Sequence, residues 1–193
     1  RRAGDISFAP ASHRRLVIFC FEMAIFPMSC VLLARPCSSE KFLTSKQKIH
    51  FYSIHKILMK IPTSSNHAGL YVHIPFCVKK CRYCDFYSET DLSLRPRFLD
   101  ALMAEMEMVS IEGLYFDTLY IGGGTPSTYG HDDIAQIVEV TLRNFDFLPD
   151  AETTIEVNPG IASTEQLEGY RAAGMNRLNF GVQSFNQRHL DFL

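Results

Sequence analysis

The sequence from Leu70 onward predicts an α/β fold in which parallel strands alternate with helices. Short β-rich runs recur along this part of the chain, and an amphipathic helical pattern follows each of them. Strand–helix units in series imply parallel strands joined by crossovers, so the sheet is either open and doubly wound or closed into a barrel. Both arrangements place the active site at the carboxyl ends of the strands, and the chemically notable residues of this sequence follow those ends.

The first strand–helix unit begins with LYVHIPF, whose β-branched and aromatic residues predict a strand over 70–76. A helix is expected next, because Pro96 suits a first helical turn and apolar residues then recur at helical spacing. These apolar residues are Phe98, Leu99, Leu102, Met103 and Met106. Gly113 is predicted to end this helix.

The second unit begins with DTLYI, a predicted strand over 117–121. A helix follows, with apolar residues expected on one face. They are Ile134, Ile137, Val138 and Leu142.

The third and fourth units complete the pattern. TTIEV predicts a strand over 153–157, closed by Asn-Pro-Gly, and RLNFGV predicts the fourth strand over 177–182. Between them, Ser163 and Gln166 are placed as a capping box, and Gly174 lies past the helix end. The sequence ends at Leu193 inside what reads as a new helix, so a truncated fold is expected.

Composition and charge exclude some classes of protein. The chain has 193 residues, of which 47% are hydrophobic and 21% charged, and this composition rules out disorder. Residues 1–62 carry ten Lys and Arg against three acidic residues, whereas the remainder carries nine against eighteen. Because the acidic remainder offers no basic face to neutralise phosphates, nucleic acid is not expected as a partner.

Residues 1–62 are expected to form an N-terminal extension without regular structure, and residues 63–193 the folded domain. The extension shows no sustained period, and its main feature is an apolar run from Leu16 to Ala34. Three interpretations are open: a membrane or signal segment, a basic transit peptide, or non-native sequence preceding a true start at Met59. The predicted location is the cytoplasm, or the mitochondrion if the extension is a transit peptide.

Three cysteines form a CxxxCxxC pattern within eight residues: Cys77, Cys81 and Cys84. Such tight spacing favours a metal over disulfides. Three thiolates fill three corners of a cubane cluster and leave one iron without a protein ligand, where another molecule can bind. The alternative is zinc with His73 as fourth ligand, but structural zinc usually has a second paired motif. A histidine in a strand is more often a structural residue.

Other candidate residues also follow strand ends. Residues 122–124 are three glycines, which allow a ligand to approach the main chain but taken alone are more often a turn. Glu156 faces opposite to its apolar neighbours, so it is either exposed to solvent or binds a ligand. Gln183 is either a simple polar residue at a strand end or part of the site. Lys79 and Lys80 are expected to be solvated loop charges.

Several motifs in order resemble one known family. CxxxCxxC with an aromatic residue just before the last cysteine resembles the radical S-adenosylmethionine (SAM) signature. Four further motifs resemble one group within the radical SAM family, the oxygen-independent coproporphyrinogen III oxidases and their relatives, the heme chaperones. These motifs are LYVHIPFC, YIGGGTPS, IEVNPG and NRLNFGVQSF. The resemblance covers about residues 69–193. It implies a partial (β/α)6 radical SAM barrel, of which the first four β/α units are present.

The resemblance also implies the cofactors. A [4Fe-4S] cluster is held by the three cysteines, and its open iron is chelated by the amino and carboxylate groups of SAM. An electron from the cluster then cleaves the sulfonium and gives a 5′-deoxyadenosyl radical, while the protein supplies orientation and excludes water and oxygen. The residues that match the family's cofactor contacts are Tyr71, Tyr83, Gly122, Gly123, Gly124, Thr125, Glu156 and Gln183.

One position distinguishes the two branches of the family. The oxidases have the pattern CxxxCxxCxC, with an additional cysteine two positions after the third. In this sequence Phe86 stands at that position. The form YCDFYS is typical of the heme chaperones, which bind heme and deliver it to respiratory proteins, so this reading is favoured. The alternative is an oxidase of the coproporphyrinogen dehydrogenase type, which converts coproporphyrinogen III to protoporphyrinogen IX by oxidative decarboxylation.

The implied partners follow from this resemblance. They are heme or a porphyrinogen, and an electron donor such as flavodoxin or ferredoxin. Membrane contact is expected only through heme-acceptor proteins.

Overall fold

The computed structural model describes the backbone of two strands in the N-terminal segment, and residues 67–109 and 111–193. Strands and helices alternate along most of the described chain. In chain order, the elements are β1 (Arg15–Phe21), β2 (Ser29–Ala34), β3 (His67–Ile74), α1 (Arg95–Met108), β4 (Tyr115–Gly123), α2 (His131–Asn144), β5 (Phe147–Val157), α3 (Thr164–Ala172), β6 (Arg177–Phe180) and α4 (Gln187–Phe192).

The described strands form one sheet in the order β2-β1-β3-β4-β5-β6. From β3 to β6 the neighbours are parallel, and a helix separates each pair in sequence. At the other edge, β1 pairs parallel with β3 and antiparallel with β2. The prediction of an α/β fold with four parallel strand–helix units is therefore confirmed.

The core lies between one face of the sheet and the helices. Along β3, Leu70, Val72 and Ile74 are fully buried, whereas Tyr71 and His73 on the opposite face are only half-buried. The helices contribute fully buried side chains to the core from Phe98, Leu102, Ile134, Ile137 and Tyr170. The polar face that carries Tyr71 and His73, here called the inner face, is thus left available for a site.

The strands β1 and β2 lie in the segment where the sequence pattern predicts no regular structure. After Arg15 the β1 sequence RLVIFCF is apolar throughout, so it has no alternation to identify it as a strand. The other residues of 1–62, on which the interpretations as transit, signal or non-native sequence depend, lie outside the described residues. Among the helices of the described part of the chain, none has both the length and the apolar character of a membrane span.

Several boundaries of the helices and strands differ from the predicted ones. The first helix ends at Met108 and not at Gly113, because Val109 already has extended backbone. Gly113 instead occupies the following turn with a φ of +72°, a left-handed conformation that suits glycine. The fourth strand ends at Phe180 and not at residue 182. The first strand ends at Ile74, so residues 75–76, which the sequence assigned to it, lie in the loop that follows. The first three strands also begin earlier than predicted, at His67, Tyr115 and Phe147.

Two side chains in the helices also differ from expectation. Leu142 is 49% exposed. Thr141 takes the core position beside it and donates a hydrogen bond to the carbonyl of Ile137 at 2.7 Å. The capping box is half formed: the Ser163 hydroxyl accepts from the Gln166 backbone at 3.2 Å, but the Gln166 side chain donates elsewhere, to carbonyls of the loop before α2.

Glu105 is a buried carboxyl group on the core side of α1. It is 3% exposed, and neither carboxylate oxygen has a hydrogen-bond partner among the described residues. Burial raises the pKa of Glu105 from its ordinary 4.5 to about 7. Between these two values the folded protein retains a proton that the unfolded chain releases, so the free energy of unfolding falls as the pH rises.

Replacing Glu105 by leucine is therefore expected to raise the free energy of unfolding by about 2 kcal/mol at pH 8, with allowance for residual solvent screening. This gain in unfolding free energy should shrink towards pH 4, where Glu105 is mostly protonated in both the folded and the unfolded protein. Urea unfolding at the two pH values measures this difference. Glu139→Leu, on the exposed side of α2, is the control, and equal gains for Glu105→Leu at both pH values would contradict the prediction.

Candidate cluster and cofactor site

The predicted site residues lie at the carboxyl ends of β3 to β6. The strand β3 ends three residues before Cys77, and β4 ends within the glycine segment 122–124. Glu156 is the next-to-last residue of β5, and β6 ends three residues before Gln183. Because these strands are parallel, their ends meet at one edge of the sheet, as the sequence predicts.

The loop that carries the cysteines is held closed at its base. Across this base, the Cys77 N–H donates to the Glu89 carbonyl at 2.9 Å, and the Glu89 N–H donates to the Pro75 carbonyl at 2.7 Å. Phe76 is fully buried and packs edge-on against Phe98, with ring centroids 5.3 Å apart. The loop therefore leaves the core from a fixed stem.

The three cysteines of this loop are unpaired and half-buried. The Cys84 N–H donates to the Cys81 carbonyl at 3.2 Å, which closes a tight turn between the second and third cysteines. Partial burial raises the pKa of Tyr83, and the negative charge that thiolates at Cys81, Cys84 and Cys77 would carry raises it further. All three cysteines thus lie within electrostatic reach of the Tyr83 ring.

The glycine segment continues the β3–β4 pairing onto the loop stem. The Gly124 N–H donates to the Ile74 carbonyl and the Thr125 N–H to the Phe76 carbonyl, each at 2.7 Å. The Thr125 hydroxyl lies 3.4 Å from the Cys77 sulfur, so two residues that the sequence assigns to the site are in contact. The N–H groups of this stretch are used within the protein, and a ligand would meet its carbonyl groups or bare Cα atoms.

Close packing requires the glycines here. A Cβ atom on Gly122 would lie 2.7 Å from Cε1 of Tyr120, and one on Gly123 would lie 2.7 Å from the His73 ring. A Cβ atom on Gly124 would lie 2.8 Å from the Phe76 carbonyl oxygen. Gly123 also has a φ of +119°, which other residues rarely adopt.

Glu156 is fixed by two hydrogen bonds on the inner face. Its Oε1 accepts from the Tyr120 hydroxyl at 2.7 Å, and its Oε2 accepts from the Gly123 N–H at 3.1 Å. The Tyr120 hydroxyl in turn accepts from the Asn179 side-chain amide at 2.8 Å. Glu156 thus connects β5 to β4 and, through Tyr120, to β6. Its side chain is half-buried and hydrogen-bonded within the protein, and its binding of a ligand stays a prediction.

Tyr71 and His73 line the same face. The Tyr71 ring stacks on Tyr120 with centroids 5.7 Å apart, and its hydroxyl lies 3.4 Å from Nδ1 of His73. Burial lowers the pKa of His73, an effect that the nearby Tyr87 backbone partly offsets, so its ring is neutral at pH 7. His73 therefore packs as an uncharged lining residue beside Gly123.

Gln183 stands apart from these contacts. It is exposed and has a φ of +59°, an uncommon conformation for a residue other than glycine. Among the described residues its side chain has no hydrogen-bond partner, and it lies over Gly181. The structure thus brings the other predicted residues together in two contact groups, but it does not bring Gln183 into either of them.

The residues present fit an iron–sulfur cluster. Three unpaired thiols on one loop are the donor set of such clusters, and the Thr125 hydroxyl at the end of the glycine segment lies 3.4 Å from the Cys77 sulfur. Within residues 67–109 and 111–193, no three His, Cys, Asp or Glu side chains converge closely enough to hold a single metal ion. A cubane cluster binds each thiolate at a different iron, so its ligands need not converge in that way.

Tyr120 and Asn179 are in contact with the predicted site residue Glu156, directly or through one another, and the sequence analysis did not single them out. Tyr120 lies two residues before Gly122 on the same face of β4, and Asn179 pairs with Glu156 in the sheet. Strand alternation places Tyr120 on the inner face, but finding its contact with Glu156 requires the register between neighbouring strands.

Comparison with known proteins identifies the family. The model of the radical SAM superfamily matches residues 71–193. The heme chaperone HemW of Haemophilus influenzae is 39% identical over 133 residues, which cover 65% of this chain and 35% of the relative. The radical S-adenosyl methionine domain-containing protein 1, mitochondrial, of Danio rerio is 32% identical over 174 residues, which cover 86% of this chain and 38% of the relative.

A solved structure agrees with these sequence matches. It is that of Escherichia coli coproporphyrinogen III oxidase (HemN), described as a radical SAM enzyme. It superimposes with a TM-score of 0.58 at 36% identity and covers 65% of this chain and 30% of that protein. The chain spans about a third of the length of these relatives. The chain belongs to the radical SAM superfamily, and within it this is a HemW- and HemN-like protein.

Proposed function

We propose that this chain is part of a radical SAM protein of the heme chaperone type, which binds a [4Fe-4S] cluster and SAM. The observation that carries the proposal is the loop of three unpaired thiols, set beside Thr125 and the glycine segment at the carboxyl edge of the sheet. The family match over residues 71–193 supports it. Three thiolate ligands leave one iron free for SAM.

In this proposal the two contact groups have separate tasks. Cys77, Cys81 and Cys84 bind the cluster on the stem that Phe76 fixes to the core. The inner face, with Tyr71 and Glu156, binds SAM. A cluster bound there would supply the electron for cleavage of SAM, and the chain's own residues would orient the cofactor and restrict water.

Heme delivery is proposed in preference to porphyrinogen oxidation. Support comes from the relatives that are named heme chaperones. It also comes from Phe86, which is 59% exposed and stands at the position where the oxidases have an additional cysteine. The corresponding partner is heme. Contact with a membrane would occur only through heme-acceptor proteins.

Anaerobic reconstitution of the protein with iron and sulfide tests this function. We expect an iron–sulfur absorption band, a change in the electron paramagnetic resonance spectrum of the reduced cluster when SAM is added, and a Soret band with heme. Coproporphyrinogen III should stay unchanged under reducing conditions. Its conversion to protoporphyrinogen IX would favour the oxidase instead, and bound zinc or no bound metal would contradict both functions.

The exposed face of the cysteine loop is the proposed entry point for the electron. Residues 78–87 carry three exposed cations and one acidic residue. Residues 63–193 taken together, by contrast, carry more acidic than basic residues. Val78, Tyr83 and Tyr87 add exposed apolar surface, at 62%, 51% and 47%. A cationic patch beside the cluster suits an acidic one-electron carrier such as flavodoxin or ferredoxin, because opposite charge speeds association.

Reversing the charge at Lys79 and Lys80, as K79E/K80E, is expected to slow reduction by flavodoxin about tenfold at low salt. The difference should narrow at high salt, where charges are screened. Stopped-flow absorbance measures the rate, and dithionite should reduce all variants equally. R97E/R171E, which reverses two exposed cations elsewhere, is the control. Equal slowing in both double variants would contradict docking at the loop.

The cellular location has two candidates, the cytoplasm and the mitochondrion. We propose to decide between them with a fluorescent fusion of residues 1–62. The mitochondrial alternative is supported by the zebrafish relative, since a match that covers 86% of this chain extends into these residues. Import of the fusion into mitochondria would support a transit peptide, and diffuse cytoplasmic fluorescence would contradict it.

A further inference from the structure

Tyr120 occupies the centre of the polar contacts on the inner face. Its hydroxyl touches the Glu156 carboxylate on β5 and the Asn179 amide on β6, at 2.7 and 2.8 Å. We infer that Tyr120 and Asn179 are positioning residues, which hold the Glu156 carboxylate in the orientation that binds SAM. This inference rests on the proposed function and adds two residues that act through Glu156 without touching the cofactor.

The direction of both hydrogen bonds follows from the chemistry of the groups. An ionised carboxylate only accepts, so the single Tyr120 proton must go to Glu156. The phenol oxygen can then only accept, and Asn179 must present its NH₂ group to it. Burial and the nearby carboxylate raise the pKa of Tyr120 to about 12, so the phenol keeps its proton at neutral pH.

The Tyr120 ring has little freedom to leave this position. Its stacking on Tyr71, with an interplanar angle of 16°, restrains it on one side. On the strand it borders Gly122, where a Cβ atom would meet the Tyr120 ring at 2.7 Å and the Glu156 carboxyl carbon at 3.1 Å. The glycine thus makes space for the tyrosine and the carboxylate together.

The carboxylate is held at both oxygens and keeps unused acceptor capacity. Oε1 takes the Tyr120 proton and Oε2 the Gly123 N–H, so the plane of the group is set. Each carboxylate oxygen can accept more than one hydrogen bond, so capacity remains for a hydroxyl or ammonium donor of a ligand. Without the Tyr120 hydroxyl, the carboxylate group would be free to rotate, and Oε1 would accept hydrogen bonds from water instead.

Tyr120→Phe removes only the hydroxyl and tests this role. In reconstituted protein we expect the dissociation constant for SAM to rise about tenfold, as for loss of a hydrogen bond to a charged group. Iron content should stay at the parent level, and the spectral change of the reduced cluster should need correspondingly more SAM. Tyr115→Phe, an exposed tyrosine on the same strand, makes the same chemical change away from the site and should leave both unchanged.

Asn179→Ala provides a second variant, because it leaves Tyr120 in place and removes only the group that orients its hydroxyl. A smaller weakening of SAM binding is expected, with no further loss when it is combined with Glu156→Gln. Parental SAM affinity in Tyr120→Phe would overturn the inference, even if urea unfolding showed reduced stability. A parent protein that takes up no cluster or binds no SAM would instead refute the proposed function, and the positioning role with it.

Discussion

Replacing Cys77 by alanine is expected to leave the protein without a stable [4Fe-4S] cluster. Three thiolates are the whole set of protein ligands available on this loop, and removing one leaves two irons without a protein ligand. The fold itself should survive, because Cys77 is half-buried and its side chain has one hydrogen-bond contact, 3.4 Å from the Thr125 hydroxyl. We expect the free energy of unfolding to change by less than about 1 kcal/mol.

Iron and sulfide content per chain after anaerobic reconstitution measures this effect, with urea unfolding of the metal-free protein beside it. Val78→Ala is the matched control, since it changes the neighbouring, 62% exposed residue of the same loop and keeps every cysteine. Equal iron content in Cys77→Ala and the parent would show that this loop does not hold the metal. Loss of both iron and folding would point to a structural role of Cys77.

The order of strands and helices could be predicted because each element carries its own local signal. The β-branched and aromatic residues of LYVHIPF identify β3, and helical spacing identifies α1. Boundaries were less predictable, since the chain leaves α1 at Val109 before any glycine or proline requires it. The strand β1 lies in the longer apolar run from Leu16 to Ala34, which is also typical of membrane and signal segments. Its formation as a strand depends on pairing with β3, far away in the sequence.

The candidate site also has one part that local sequence shows and one part that depends on how distant strands pair. The cysteine cluster is visible in sequence because its ligands lie within one loop, whereas the Tyr120, Glu156 and Asn179 contacts join three strands. Their meeting depends on register, and an irregularity between Phe116 and Thr118 shifts the pairing of β4 with β5. A shift of one residue exchanges the two faces of a strand, so local patterns alone cannot establish which side chains meet.

Gly124→Ala is expected to have the second large effect, because it separates the glycine segment from the stem of the cysteine loop. The new Cβ atom would lie 2.8 Å from the Phe76 carbonyl oxygen and 2.9 Å from the Pro75 carbonyl group, all of them backbone atoms that cannot rotate away. Relief of this overlap must lengthen the bonds from the N–H groups of Gly124 and Thr125, which are 2.7 Å each. Overpacking of this kind costs about 2 kcal/mol of unfolding free energy.

The same displacement moves Thr125 away from Cys77, so cluster retention should fall together with stability. Urea unfolding of the metal-free protein and iron content after gel filtration measure the two effects separately. Gly130→Ala, where the nearest atom to a new Cβ is 3.8 Å away at Asp133, is the control and should retain iron like the parent. If Gly124→Ala kept parental stability and iron, the strand end would be free to move, and the stem could not be the rigid support on which the proposed cluster site depends.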